Sequence, residues 1–201
     1  MRSLLLLVVF PVLLGLGAAG PAYAEQVTVR DQVHDVYTPR NGSLFDYDPV
    51  GWAVNTDLRS TRVRFRSGVV TVRATFVDLR RGGSDETDVT ALLRTRSDRF
   101  LVVAYVHDDL SLDVVSVLRL EGGYGYGGTQ TLLDCPAAHG ATDARADTVS
   151  LSVPADCLGG ARSVRYQGSV RTYADAGILV DSADGRSPQP QHYTRPIHDT
   201  P

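Results

Sequence analysis

The chain has 201 residues, 20 of them basic and every one an arginine, against 23 acidic side chains, for a formal net charge of -3. Such a balance argues against extended nucleic-acid binding, which needs a net basic surface to release counterions. The length suits one ordinary domain with a core of its own.

In chain order, Arg2 precedes the apolar run Leu4 to Leu16, and Ala22-Tyr23-Ala24 offers the small residues of a cleavage site. Residues 1–24 read as a secretory signal peptide, too short for a membrane span of ~20 apolar residues. A secreted, extracellular, monomeric protein without membrane or nucleic-acid partners is expected, with a β-sandwich domain over 25–186. Residues 187–201 contain four prolines and read as a disordered tail.

Val27 to Arg30 reads as a first strand, and Asp31 to Asp57 as an irregular segment rich in Asp, Gly and Pro. Thr61 to Leu79 is two runs of period-2 alternation around Ser67-Gly68, the signature of a β-hairpin. A two-residue loop sets Phe65 against Val70, Val63 against Val72 and Thr61 against Ala74, so that face is core. The other face carries Arg62, Arg64, Arg66 and Arg73, either as a solvated outer surface or as an anion-binding one. Arg62 then lies opposite Arg73, a like-charge pair that costs stability.

Further strands are predicted over Val89–Arg96, Phe100–His107, Leu112–Leu120, Val149–Val153 and Ser163–Val170. Phe100–His107 is apolar on both faces, as a covered central strand would be. Leu112, Val114, Leu118 and Leu120 are expected on one side of their strand. Glu121 to Gln130 is a Gly-rich loop whose Tyr124 and Tyr126 could stack on a ligand. No segment sustains a helical period. The class predicted is an all-β, single-domain antiparallel β-sandwich, jelly-roll-like, with Cys135 and Cys157 joined in a disulfide as the exported context favours.

Val69 to Leu79, Asp147 to Val153 with the Pro154-Ala155-Asp156-Cys157-Leu158-Gly159 that follows, Val164-Arg165 and the acidic Asp181-Ser182-Ala183-Asp184 resemble small secreted proteins of actinobacteria without an assigned activity. More distantly the pattern is similar to DOMON-like and family 9 carbohydrate-binding sandwiches, which implies a β-sandwich holding sugar, haem or calcium. The only methionine is Met1, so the Met/His haem ligation of some such proteins is missing.

Three sets of residues carry candidate chemistry. Asp31, Asp35, Asp46 and Asp48, with Asp57 nearby, could converge oxygen ligands on Ca²⁺, and Asp181 or Asp184 could join them if the chain ends meet. The spacing is not that of an EF-hand, and Asp is also a routine turn residue. Tyr37, Phe45, Tyr47 and Trp52 crowd the same segment, as a sugar-stacking surface would require or as anchors of a long loop. Arg62, Arg64 and Arg73 complete the candidate ligand contacts. No nucleophile elbow, zinc-protease motif or metal-spaced histidine pair occurs, and only three glutamates are present. The expectation is therefore a non-catalytic binding module for carbohydrate or another small extracellular ligand, with Ca²⁺ as the candidate organiser of its acidic loop. The alternative is an extracellular protein-interaction or structural domain that uses the arginine face and has no small-molecule site.

Overall fold

A computed structural model describes residues 25–43, 46–122, 129–175, 177–185, 187–188 and 192–201. The expected signal peptide, Phe45 and the tyrosines of the Gly-rich loop lie outside these. In chain order the strands are β1 (Gln26–Arg30), β2 (Val36–Pro39), β3 (Tyr47–Gly51), β4 (Leu58–Arg66), β5 (Val69–Phe76), β6 (Glu86–Arg94) and β7 (Arg99–His107). They continue with β8 (Ser116–Glu121), β9 (Thr129–Leu132), β10 (His139–Asp143), β11 (Thr148–Pro154), β12 (Ser163–Ala174), β13 (Gly177–Ser182) and β14 (Ile197–His198).

Two antiparallel sheets pack face to face. The smaller has the order β1-β4-β5-β11-β10, and the larger runs β3-β2-β13-β12-β6-β7-β8-β9, with β14 added beside β12. Alternation decides which side chains meet between them. Val63, Phe65, Val70, Val72, Phe76, Val149 and Leu151 from the smaller sheet face Val89, Ala91, Leu93, Phe100, Val102, Val117, Val164 and Val170 from the larger in one buried cluster. The cystine joins Cys135, between β9 and β10, to Cys157, in the 3-10 turn after β11.

The hairpin forms in the expected register: Phe65 pairs with Val70, Val63 with Val72, Thr61 with Ala74 and Arg62 with Arg73. Ser67 and Gly68 both have positive φ, 49° and 73°, which is the two-residue turn whose twist matches that of the strands. As expected, β7 lies inside the larger sheet, between β6 and β8.

Three expectations are corrected. Residues 112–115 do not join a strand with 116–121, and Val114 is 80% exposed while Val115 and Val117 are buried. The pattern was ambiguous because apolar residues occupy both parities there. The segment 31–57 is not irregular throughout, for it contains the β2–β3 ribbon at the edge of the larger sheet. Lastly, the end of the Pro-rich tail is packed, not disordered. Ile197 pairs with Val164 and is completely buried, and Thr200 and Asp199 reach the β4–β5 turn. Pro196 precedes β14, a position where its missing N–H breaks no ladder bond.

Candidate functional site

The irregular link from β1 to β2 crosses from one sheet to the other, and it brings two carboxylates to the side of a third. Asp31 follows β1, Asp35 precedes β2, and Asp181 sits on β13 with its side chain turned inward, since it pairs with the core residue Val170. One oxygen from each lies within 4.8 Å of the other two, and among the described residues no other group of three His, Cys, Asp or Glu converges in this way. Asp181 is 1% exposed and Asp35 8%. The Leu58 N–H donates to Oδ2 of Asp181 at 2.7 Å, which ties β13 to the start of β4 across the sandwich. The Gln32 N–H donates to Oδ1 of Asp31 at 2.9 Å. Asp57 lies alongside, both of its oxygens accepting from the His34 N–H.

Among the described residues the cluster meets no counter-charge. Oδ2 of Asp31, both oxygens of Asp35 and Oδ1 of Asp181 are buried and meet no donor among the described residues other than a proton that the adjacent Asp31 and Asp181 carboxyls can share. Desolvation raises all three carboxyls, and the neighbouring charges that act on them are further carboxylates. Asp35 is pushed up to about 6 by burial and then by Asp57, while Asp31 and Asp181 are raised by burial and then by their neighbours Asp35 and Asp31 respectively. Gly185, at φ +58°, lets the turn after β13 close on this centre, because a Cβ there would stand 2.6 Å from Oδ1 of Asp31.

The other predicted ligands are elsewhere. Asp48 forms an ion pair with Arg40 near the tip of the β2–β3 ribbon, and the backbone N–H of Asp46 donates to Ser43 Oγ at the same tip, so neither belongs to the converging group. Sequence proximity misled here: 46 and 48 are near 35 along the chain but at the far end of a ribbon. The signal for Asp181 was the possibility that the chain ends meet, without which the 145 residues between Asp35 and Asp181 hide the pair.

The predicted ligand contacts fall on two surfaces. Tyr37 pairs opposite Pro49 and Tyr47 opposite Pro39, so the two rings share one face of the edge ribbon, and Trp52 follows the ribbon 46% exposed. Arg62, Arg64 and Arg73 are on the other sheet. There, alternation turns Arg30 of β1, Arg62, Arg64 and Arg66 of β4 and Arg73 of β5 to the outside, all exposed. Register places Thr28, Arg62, Arg73, Ser150 and Ala141 in one row across the strands, and Gln26, Arg64, Thr71, Ser152 and His139 in the next. Asp143, on the edge strand β10 in the row of Thr148, Thr75, Ser60 and Arg30, is the one acidic residue of these three rows.

No protein-family model matches the chain, and neither a curated protein nor a solved structure is similar to it beyond chance. Sequence reading also missed a third group on the outer face of the larger sheet, where Glu86 and Asp88 of β6 lie beside Tyr173 and Tyr105 of the flanking strands. Asp88 is raised to about 6, first by burial and then by the Glu86 charge, with hydrogen bonding from Tyr173 working the other way.

Proposed function

We propose that this chain is an extracellular, non-catalytic binding module that holds an acidic polysaccharide on its arginine face. The observation that carries the reading is the outer surface of the smaller sheet, where three adjacent rows hold the exposed Arg30, Arg62, Arg64 and Arg73 and a single carboxylate, Asp143, at the edge, with exposed Arg66 one row further. Along β4 successive outward residues are about 6.8 Å apart, two strand rises, and adjacent strands lie about 4.8 Å apart. Guanidinium forks at such intervals match carboxylates or sulfates repeating along an extended sugar chain, and each can bind bidentately. Thr28, Thr71, Ser150 and Ser152 interleave with them and supply donors and acceptors for sugar hydroxyls. The Arg62–Arg73 pair, unfavourable in the free protein, is relieved by an anion between the two strands.

The test is retention of the oxidised protein on polygalacturonate beads against neutral dextran beads, at low and high NaCl. Binding to the acidic polymer that weakens with salt is expected, together with a loss of at least about 10-fold for the triple variant Arg62→Ser, Arg64→Ser, Arg73→Ser. Charge-assisted hydrogen bonds contribute ~1.5–3 kcal/mol each, and ~1.4 kcal/mol is a factor of ten. Equal retention on dextran, or an unchanged triple variant, would sink the proposal. A second reading rests on half-exposed Trp52 beside exposed Val50: stacking of a neutral sugar, in which case dextran retention is lost in Trp52→Ala.

A further inference from the structure

The strongest feature outside the arginine face is the carboxylate centre at the crossover between sheets. We infer that Asp31, Asp35 and Asp181 form a calcium site that pins the β1–β2 link to β13.

First, the geometry fits an ion. Three carboxylate oxygens within 4.8 Å of one another share a point no more than about 2.8 Å from each, so side-chain adjustments of a few tenths of an ångström at most bring them to the Ca²⁺–oxygen bond length of about 2.3–2.6 Å.

Second, the site needs one. Asp181 is almost completely enclosed, yet its Oδ1 meets no donor other than a proton shared with Asp31, Oδ2 of Asp31 meets no other either, and both oxygens of Asp35 meet none. Buried acceptors without partners are costly, and ionised ones more so. Two of the three carboxylates are oriented through one oxygen and keep the other free. Leu58 N–H holds Oδ2 of Asp181, and Gln32 N–H holds Oδ1 of Asp31. Second-shell bonds of this kind fix ligands in place. Neither Lys nor Arg closes an ion pair with any of the three among the described residues.

Third, the donor set selects the metal. All-oxygen, all-carboxylate ligation suits a hard cation, and the absence of His or Cys from the group disfavours zinc or copper. Ligands from an irregular link and a strand, rather than an octahedral cage, suit the larger and more tolerant Ca²⁺ over Mg²⁺, with water and carbonyl groups completing the shell. A site of this kind in an extracellular domain is tuned to about 0.1–1 mM. Asp57, whose oxygens are taken by the His34 N–H, adds negative charge without being a ligand.

Thermal unfolding of the oxidised full chain in EDTA, in 10 mM CaCl₂ and in 10 mM MgCl₂, at matched ionic strength, tests this. A ligand at ten times its Kd raises the midpoint by roughly 3–6 °C for a domain of this size. That rise is expected with Ca²⁺, with a smaller one for Mg²⁺, and it is expected to vanish in Asp35→Asn and Asp181→Asn but persist in Asp48→Asn. Terbium bound at the same place, followed by its luminescence and displaced by Ca²⁺, gives a readout that does not depend on stability. Should Asp181→Asn fail to fold, Asp35→Asn decides, because neither carboxyl oxygen of Asp35 ties one element to another. No midpoint shift and no terbium binding overturns the site. A shift that survives both variants places the ion elsewhere and overturns it equally, and a Mg²⁺ effect as large as that of Ca²⁺ overturns the choice of metal.

Discussion

Asp88 shows how a single carboxylate can be kept at a cost. It lies on β6 with 9% of its surface exposed, next to the charge of Glu86, and its carboxyl is raised to about 6 from an ordinary value of 3.8. Because the folded pKa is above the unfolded one, the folded state binds this proton more tightly, and the penalty grows as the pH rises from 3.8 to about 6 and is fully present above that. Lowering the pH from 7 through 6 towards 4 therefore removes a penalty. Asp88→Asn, which has no charge to desolvate and can still meet the Tyr173 hydroxyl, is expected to stabilise the protein at pH 7 by about 1–2 kcal/mol, as 1.36 kcal/mol corresponds to one pKa unit. Urea unfolding at pH 7 and pH 4 checks it, the gain being present at the first and absent at the second. A variant less stable than the parent at pH 7 would mean that the carboxylate–Arg171 attraction outweighs the desolvation.

At the scale of elements, the end of the chain does more than its composition suggests. Ile197 is buried in the shared core, Asp199 accepts from the Gly68 N–H at 3.0 Å, and the Thr200 carbonyl accepts from the Ser67 N–H at 2.8 Å, so β14 locks the turn of the central hairpin. Thr194 adds a reciprocal pair with the backbone of Tyr166. Ile197→Ala is expected to cost about 2–5 kcal/mol in urea unfolding, the usual range for truncating a buried Ile, and removal of residues 192–201 more than that. An Ile197→Ala cost under 1 kcal/mol would show that the segment contributes nothing to the fold. The contrast with the hairpin explains what sequence could reveal. Between Thr61 and Phe76 every second residue is apolar and the loop is two residues long, so local pattern and turn geometry determine register without knowledge of anything distant. A two-residue strand such as β14 has no period to read, and its only clue is one Ile after a Pro. The Asp centre divides the same way. Asp31 and Asp35 are close along the chain and were readable, whereas Asp181 reaches them only because β13 joins β2 at Val180–Tyr37. The split of the aromatic and arginine contacts between opposite sheets was hidden for the same reason, since pairing partners beyond a hairpin are not written in any local period.

For the molecule as a whole, the outer faces of the two sheets differ: arginine and hydroxyl groups on the smaller, and on the larger a mixed surface where Glu86, Asp88 and tyrosines share the sheet with Arg171 and with the row Arg165, Arg94 and Arg99. What keeps them in one orientation is the shared core together with the links that cross between sheets. The Asp centre lies on one such link, and the Cys135–Cys157 bond on another, because β9 belongs to the larger sheet and β10 and β11 to the smaller. The bond closes a loop with a sequence separation of 22. Loop-closure entropy for such a length contributes about 3 kcal/mol by restricting the unfolded chain. For a domain of this size that corresponds to a midpoint lower by roughly 6–12 °C in the double variant Cys135→Ala, Cys157→Ala. The arginine face should be unaffected, since Thr71, Arg73 and their β11 partners are held by ladder hydrogen bonds rather than by the cystine. Calorimetry and bead retention on the same double variant separate the two effects: a lowered midpoint with unchanged polygalacturonate binding is expected. Lost binding with a native-like midpoint would mean that the crossover, not the β4–β5 hairpin, positions the arginines.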